Sequence, residues 1–227
     1  MKSKILFPML LFSIFINAQN ELDKTDKIID EMCLNFKSTE NLNDSLRIES
    51  LTQKFILPYL SQFSDSDYEN KMENLYFRFQ KRCEYFRDYL QRISPPQGEN
   101  WMKLNARPEI KVSDKEINQF KNNSNFYYFE YSGEKTLVNT DKKYWTEIFE
   151  DGTSSKLLYT WLGKNKFELE FIESNNNTRK NFSKKGDKYF YEIINKESNY
   201  YWVIVEIPGQ SEILKFKLFN EKLNFLH

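Results

Sequence analysis

From residue 125 onward apolar and polar side chains alternate with a period of two, and the alternating runs are joined mainly by tight turns, with no helix-length crossover between them. Parallel neighbours need a connection of a dozen residues or more, usually a helix, so this half of the chain can only build an antiparallel sheet. Eight runs read as strands, at 125–131, 134–140, 144–150, 154–162, 166–173, 188–194, 200–207 and 212–219. Their connections carry turn chemistry, including Asp151-Gly152 and Pro208-Gly209. Only the connection SNNNTRKNFSKKGD, residues 174–187, is long.

A meander of about eight strands leaves two raw edges unless it curls into a barrel or half-barrel. In one strand Phe167, Leu169 and Phe171 oppose Glu168 and Glu170; in another Leu214, Phe216 and Leu218 oppose Lys215 and Lys217. These strands have one wet face. Phe126, Tyr127, Tyr128 and Phe129, and the run 201–205, are apolar or aromatic on both faces. Such strands are covered twice, once by the sheet's own interior and once, by expectation, by the helices ahead of them. Aromatic residues make up 17% of the chain, so rings must supply much of that interior.

The first half is helical. Ile29, Met32, Cys33 and Phe36 recur at helical spacing, as do Leu42, Leu46, Leu51 and Phe55 up to Pro58. Pro58 is expected to end or kink that helix. Ser66 and Glu69 have capping-box spacing, and after them Tyr68, Met72, Leu75, Phe79, Cys83, Phe86, Leu90 and Ile93 mark one long amphipathic helix. Cys33 and Cys83 both lie on apolar stripes. Two antiparallel helices packed stripe to stripe would bring the sulfurs together, and we expect a Cys33–Cys83 disulfide. Pro95, Pro96 and Gly98 end the helical part, and Ser113 with Glu116 caps a short helix beyond them.

The chain opens MKSKILFPMLLFSIFINAQN, with two lysines, an apolar run and then Ala18, the order of a secretory signal peptide. The apolar run falls short of the ~20 residues that span a bilayer. The expected organisation is α+β: a signal peptide at 1–18, a helical hairpin at 19–94, a linker with a short helix at 95–124, and an antiparallel barrel-like domain at 125–227. The mature protein is expected to be exported, periplasmic or secreted, with no integral membrane segment.

This order of parts, with FEDGTSSKLLYTW and FELEFIESNN within the β half, resembles exported proteins of the Bacteroidota type. The resemblance implies architecture and compartment, and no activity. In strand count the β half is also similar to a lipocalin-like meander, although no Gly-x-Trp opens its first strand and Trp145 and Trp161 stand in later ones.

Few residues offer chemistry. The one histidine, His227, is the last residue, so no Ser-His or Cys-His pair and no histidine-rich metal site can be assembled. Six scattered glycines form no phosphate-cradling loop. No catalytic residue, metal or cofactor is therefore expected, and the chain reads as a non-enzyme. A carboxylate-dependent hydrolase would have to use a pair such as Glu168 and Glu170, which read better as a solvated strand face. Lysines and arginines balance acids at 33 each, so nucleic acid is not an expected partner. The long loop gathers Arg179, Lys180, Lys184, Lys185 and Lys188 around Phe182, a candidate anion-binding cluster. Asn176 and Asn181 fall in glycosylation sequons that arise by chance in asparagine-rich sequence. The function expected is a non-catalytic binding or interaction protein of the cell envelope, its partner an envelope protein or a glycan, with aromatic strand surface and the basic loop as contacts. A carrier of a small apolar ligand inside the curled sheet is the alternative.

Overall fold

The computed structural model describes residues 9–95 and 98–221, and the side chains from residue 24 onward. The chain divides into two compact units, Met1–Arg87 and Asp88–His227. Residues 1–8 of the expected signal peptide and the histidine at 227 lie outside the described residues. No helix among the described residues is long and apolar enough to cross a membrane.

In the first unit α1 (Met9–Ser38) runs through the expected cleavage point at Ala18 without a break. The chain returns through α2 (Asp44–Leu51), a π-helical turn (Thr52–Ile56) and α3 (Leu57–Leu60), then rises again as α4 (Asp65–Arg82). Asn43 caps α2 by accepting from the Leu46 amide. Pro58 does not stop the helix. It sits in the first turn of α3, where a missing amide costs nothing, and the wider π turn just ahead absorbs the change. At α4 the expected Ser66 box is displaced: Ser64 is the N-cap residue, and its hydroxyl donates to the Asp67 carboxylate at 2.7 Å.

The disulfide joins Cys33 and Cys83, with Cα atoms 5.4 Å apart. Its geometry corrects two expectations. Asp26 meets Arg78, Asp30 meets Arg82, Cys33 meets Cys83 and Phe36 meets Phe86, so α1 and α4 run parallel, and the segment from α2 to α3 is the antiparallel partner of α1. Nor is the last helix continuous. Cys83 is extended at φ −106° and ψ 109°, and a new helix α5 (Glu84–Ile93) starts after it. The Arg87 guanidinium turns back to donate to the carbonyls of Gln80 and Lys81, satisfying acceptors that the break exposes. The boundary between the units falls inside α5, earlier than the proline pair where the sequence places it.

Arg78 is fully buried and holds Asp26 through both carboxylate oxygens at 2.8 Å. Around the disulfide Phe36, Phe79 and Phe86 pack, the last two stacked at 4.3 Å, with the Arg47 guanidinium over Phe36. Among the described residues the first unit rests on this cross-link, the Asp26–Arg78 ion pair and the aromatic cluster.

The second unit is an eight-stranded closed antiparallel barrel of lipocalin-like topology, with one additional strand. The barrel strands are β2 (Asn125–Phe129), β3 (Lys135–Thr140), β4 (Tyr144–Ile148), β5 (Ser154–Trp161), β6 (Lys166–Ser174), β7 (Lys188–Glu197), β8 (Tyr200–Glu206) and β9 (Ile213–Asn220). Each pairs with the next, and β9 closes the ring by pairing back to β2 through Phe126↔Asn220 and Tyr127↔Phe219. Where β2 leaves β9, β1 (Trp101–Leu104) takes its place, pairing residues 213–216. Sequence places these residues in the linker. Trp101 seals the seam: it stacks on Phe216 at 4.6 Å and on Tyr131 at 5.0 Å, and its indole donates to the Phe129 carbonyl.

Rings fill the interior. Phe126, Trp145, Phe167 and Tyr201 are essentially inaccessible, and α6 (Asp114–Asn122) inserts Phe120 among Phe126, Phe167 and Tyr201 to plug one end. The Ser113–Glu116 capping box starts that helix as its spacing predicts. The second cover for the doubly apolar strands also comes from within this unit. Outward Trp202 and Ile204 pack with Ile194, Leu104, Tyr200 and Ile213, where the linker crosses the barrel wall. A β-bulge in β7 frees the Ile194 carbonyl to accept from the amides of Lys111 and Val112, and Arg107 pairs with Glu192 and Glu206.

Breaking the buried pair in the first unit should be costly. Asp26→Ala removes the carboxylate that holds the buried Arg78 guanidinium through both oxygens and is expected to lower unfolding free energy by about 3–5 kcal/mol. Urea unfolding measures this, and a loss near that of an exposed pair such as Lys111–Glu109 would contradict it. Reducing the Cys33–Cys83 bond, which closes a loop of 50 residues, should cost about 4 kcal/mol in the chain-entropy account.

Candidate functional site

The long loop between β6 and β7 is a short helix, α7 (Asn177–Phe182), and a turn. Asn176 starts it by accepting from the Arg179 amide, and its side-chain amide donates to the Thr153 hydroxyl. Asn181 is buried. Both sequon asparagines are thus used in packing. The predicted basic cluster does not stay together. Lys180 and Lys185 are exposed, Lys184 is half-buried, and Lys188 pairs outside the barrel with Glu168 at 2.9 Å and Glu170 at 3.7 Å. Phe182 packs on the barrel core. Arg179 points inward.

Arg179 enters a charged cluster at the end of the barrel opposite α6. Its guanidinium donates to Glu130 at 2.5 Å and to the Tyr128 hydroxyl at 3.1 Å, lies 3.8 Å from Glu147, and sits 5.2 Å from the Phe149 ring centre. Tyr128 donates to Glu147 at 3.0 Å, and Thr136 donates to Glu130 at 2.7 Å. Tyr128, Thr136, Trp145 and Glu147 share the inward face because strand side chains alternate. The two acids reach the interior from β4 and from the turn after β2.

Protein surrounds this cluster, yet side-chain accessibility remains 26% for Arg179, 22% for Glu130 and 13% for Glu147. The cluster is therefore reached by solvent from the α7 end of the barrel. Burial raises the Glu147 carboxyl above the ordinary glutamate value; Arg179 opposes that rise and Glu130 adds to it. Burial, then Glu130 and Glu147, raise the Tyr128 phenol, and burial followed by Glu147 raises Tyr191. For Arg179 burial works against the charge, but Glu130, Tyr128 and Glu147 outweigh it and its pKa rises.

The outer wall carries a different feature. Ile148, Leu137, Tyr127, Phe219 and Tyr200 are cross-strand partners in sequence, one row across β4, β3, β2, β9 and β8. Phe129 flanks the row. Tyr127 and Phe219 stack at 4.9 Å, and Tyr200 lies 5.3 Å from Phe219. All are accessible in part, and Leu137 is exposed. Lysines lie along the row: Lys135 sits 4.0 Å over Tyr127, and Lys217 5.2 Å over Tyr200. The sequence marks Tyr127 and Phe129 as apolar on a second face but leaves their cross-strand alignment invisible, since register is non-local. Elsewhere on the exterior Glu168 and Glu170 are bridged by Lys188, and among the described residues no group of three or more His, Cys, Asp or Glu is placed to hold a metal.

The Glu147 shift has a sign that can be checked. A carboxyl whose folded pKa is raised keeps its proton longer in the folded state, so its contribution to stability is full below the unfolded value and is lost as pH rises to the folded one. Unfolding free energy should fall over that window. Glu147→Gln should flatten the slope, and an unchanged slope would place the titration elsewhere. No family model, curated protein or solved structure matches the chain.

Proposed function

We propose that this protein is an exported, non-catalytic binding module of the cell envelope whose contact surface is the aromatic row on the outer barrel wall. The single observation that carries this reading is the row itself: five apolar residues aligned across five adjacent strands, accessible in part and edged by lysines. A barrel needs no such row to fold, because its outward positions are satisfied by charge, as Glu168 and Glu170 are. Contiguous aromatic surface rimmed by polar groups is the composition of a protein contact. The lysine rim suits a partner surface with an apolar centre and an acidic margin. Export is supported by the basic, apolar, small-residue order of the first eighteen residues and by the disulfide. The carrier of an apolar ligand has less in its favour, since the apolar interior is occupied by Phe120, Phe126, Trp145 and Phe167.

A photo-reactive phenylalanine at position 129, expressed in the native host, should give one discrete adduct. Tyr127→Ala or Phe219→Ala should weaken that capture about tenfold, the scale of a buried aromatic anchor. The same probe at position 168, on the charged wall, should give none. Equal capture at both positions would end the proposal.

A further inference from the structure

We propose that the partly accessible charged cluster at the α7 end of the barrel is a binding site for a small organic ammonium ion. The cluster is one positive charge short. Glu130 and Glu147 face a single guanidinium, Arg179, and the other groups acting on them are uncharged: the Tyr128 phenol, the Thr136 hydroxyl, the Trp145 indole and the Tyr191 phenol. Uncompensated negative charge held away from water must be neutralised by a proton or by a cation.

A second observation concerns Trp145, two residues before Glu147 on the same inward face. Its side chain is 2% accessible and its indole N–H meets no acceptor within strict hydrogen-bond geometry, yet it reaches toward Glu147 closely enough to favour the ionised carboxyl. A buried donor without an acceptor costs about 1–3 kcal/mol. The cost disappears when Glu147 is ionised and turned to accept from both Tyr128 and Trp145. The cluster is therefore built around a carboxylate whose counter-charge is incomplete. A cation that supplies the charge leaves Glu147 ionised with both donors engaged.

The walls select the class of cation. Tyr128, Phe149 and Tyr191 are the rings beside the two acids, and an alkylammonium, weakly hydrated on its alkyl side, sheds less water on entering such surroundings than a small inorganic ion does. Because the ion takes the place of the Glu147 proton, affinity should rise with pH through the elevated Glu147 range and level off above it. The other charged or titratable neighbours are Glu130, Arg179, Tyr128, Tyr189 and Tyr191; burial raises the Tyr128 and Tyr191 phenols, which stay protonated throughout that range.

The test uses the whole mature chain and n-butylammonium as probe. The four tryptophans, Trp101, Trp145, Trp161 and Trp202, give four indole N–H resonances in a nitrogen-labelled sample. Titration should shift the Trp145 resonance saturably, with Trp101 and Trp202 unmoved. Glu147→Gln should weaken binding about tenfold or more, as should replacing the probe by n-butanol. Trp145→Phe, read by calorimetry, should weaken it less and show that the fold survives. No saturable shift up to about 10 mM probe, equal binding of n-butanol, or equal response to potassium chloride would each overturn the proposal.

Discussion

The structure of the second unit depends on the pairing of β9 with two partners at once. Hydrogen-bonded to β8 along one edge and to β2 and β1 along the other, it turns an eight-stranded meander into a ring and removes both raw edges. Closure then decides the fate of every side chain in the barrel strands, because each must face either a narrow interior or the outside. An eight-stranded ring is just wide enough for side chains to fill. That explains why so many rings are needed, and why polar groups enter where α7 replaces apolar bulk with a guanidinium. The seam is the weak point, since β2 and β9 share only two paired positions, and Trp101 stands beside it, bonded to β2 and stacked on β9.

Charge is handled differently in the two units. In the first, Arg78 engages both carboxylate oxygens of Asp26, with Arg82 at 3.5 Å beside them, an arrangement that specifies how α1 and α4 align. In the second, two acids share one arginine, and burial, with Glu130 adding to it, raises the Glu147 carboxyl against the pull of Arg179. A balanced buried pair is a fastener. An unbalanced one responds to whatever supplies the missing charge.

Much of this was legible in the sequence where the signal is local. All eight barrel strands follow from alternation, to within a few residues at their ends, and the cysteine stripes foretold the cross-link. What was not legible is non-local. β1 is four residues beside a proline and glycine-rich stretch, and its partner lies over a hundred residues away. The parallel course of α1 and α4 was hidden because stripes give faces and not directions; the matched spacing of Asp26 and Asp30 with Arg78 and Arg82 was the available clue. The break at Cys83 leaves the three-four spacing intact and so leaves no trace in it. Arg179 looked like one more basic residue in a solvated loop, and only the fold shows its two acids converging on it.

The central claim is closure of the barrel through β2 and β9, and backbone proton distances measured by nuclear Overhauser effects in solution test it most directly. Short contacts between Tyr127 and Phe219 and between Phe126 and Asn220, alongside those of β9 with β8, are the result this account predicts. A β9 that contacts β8 alone, with the amides of β2 exchanging freely on their outer edge, would mean an open sheet and contradict it.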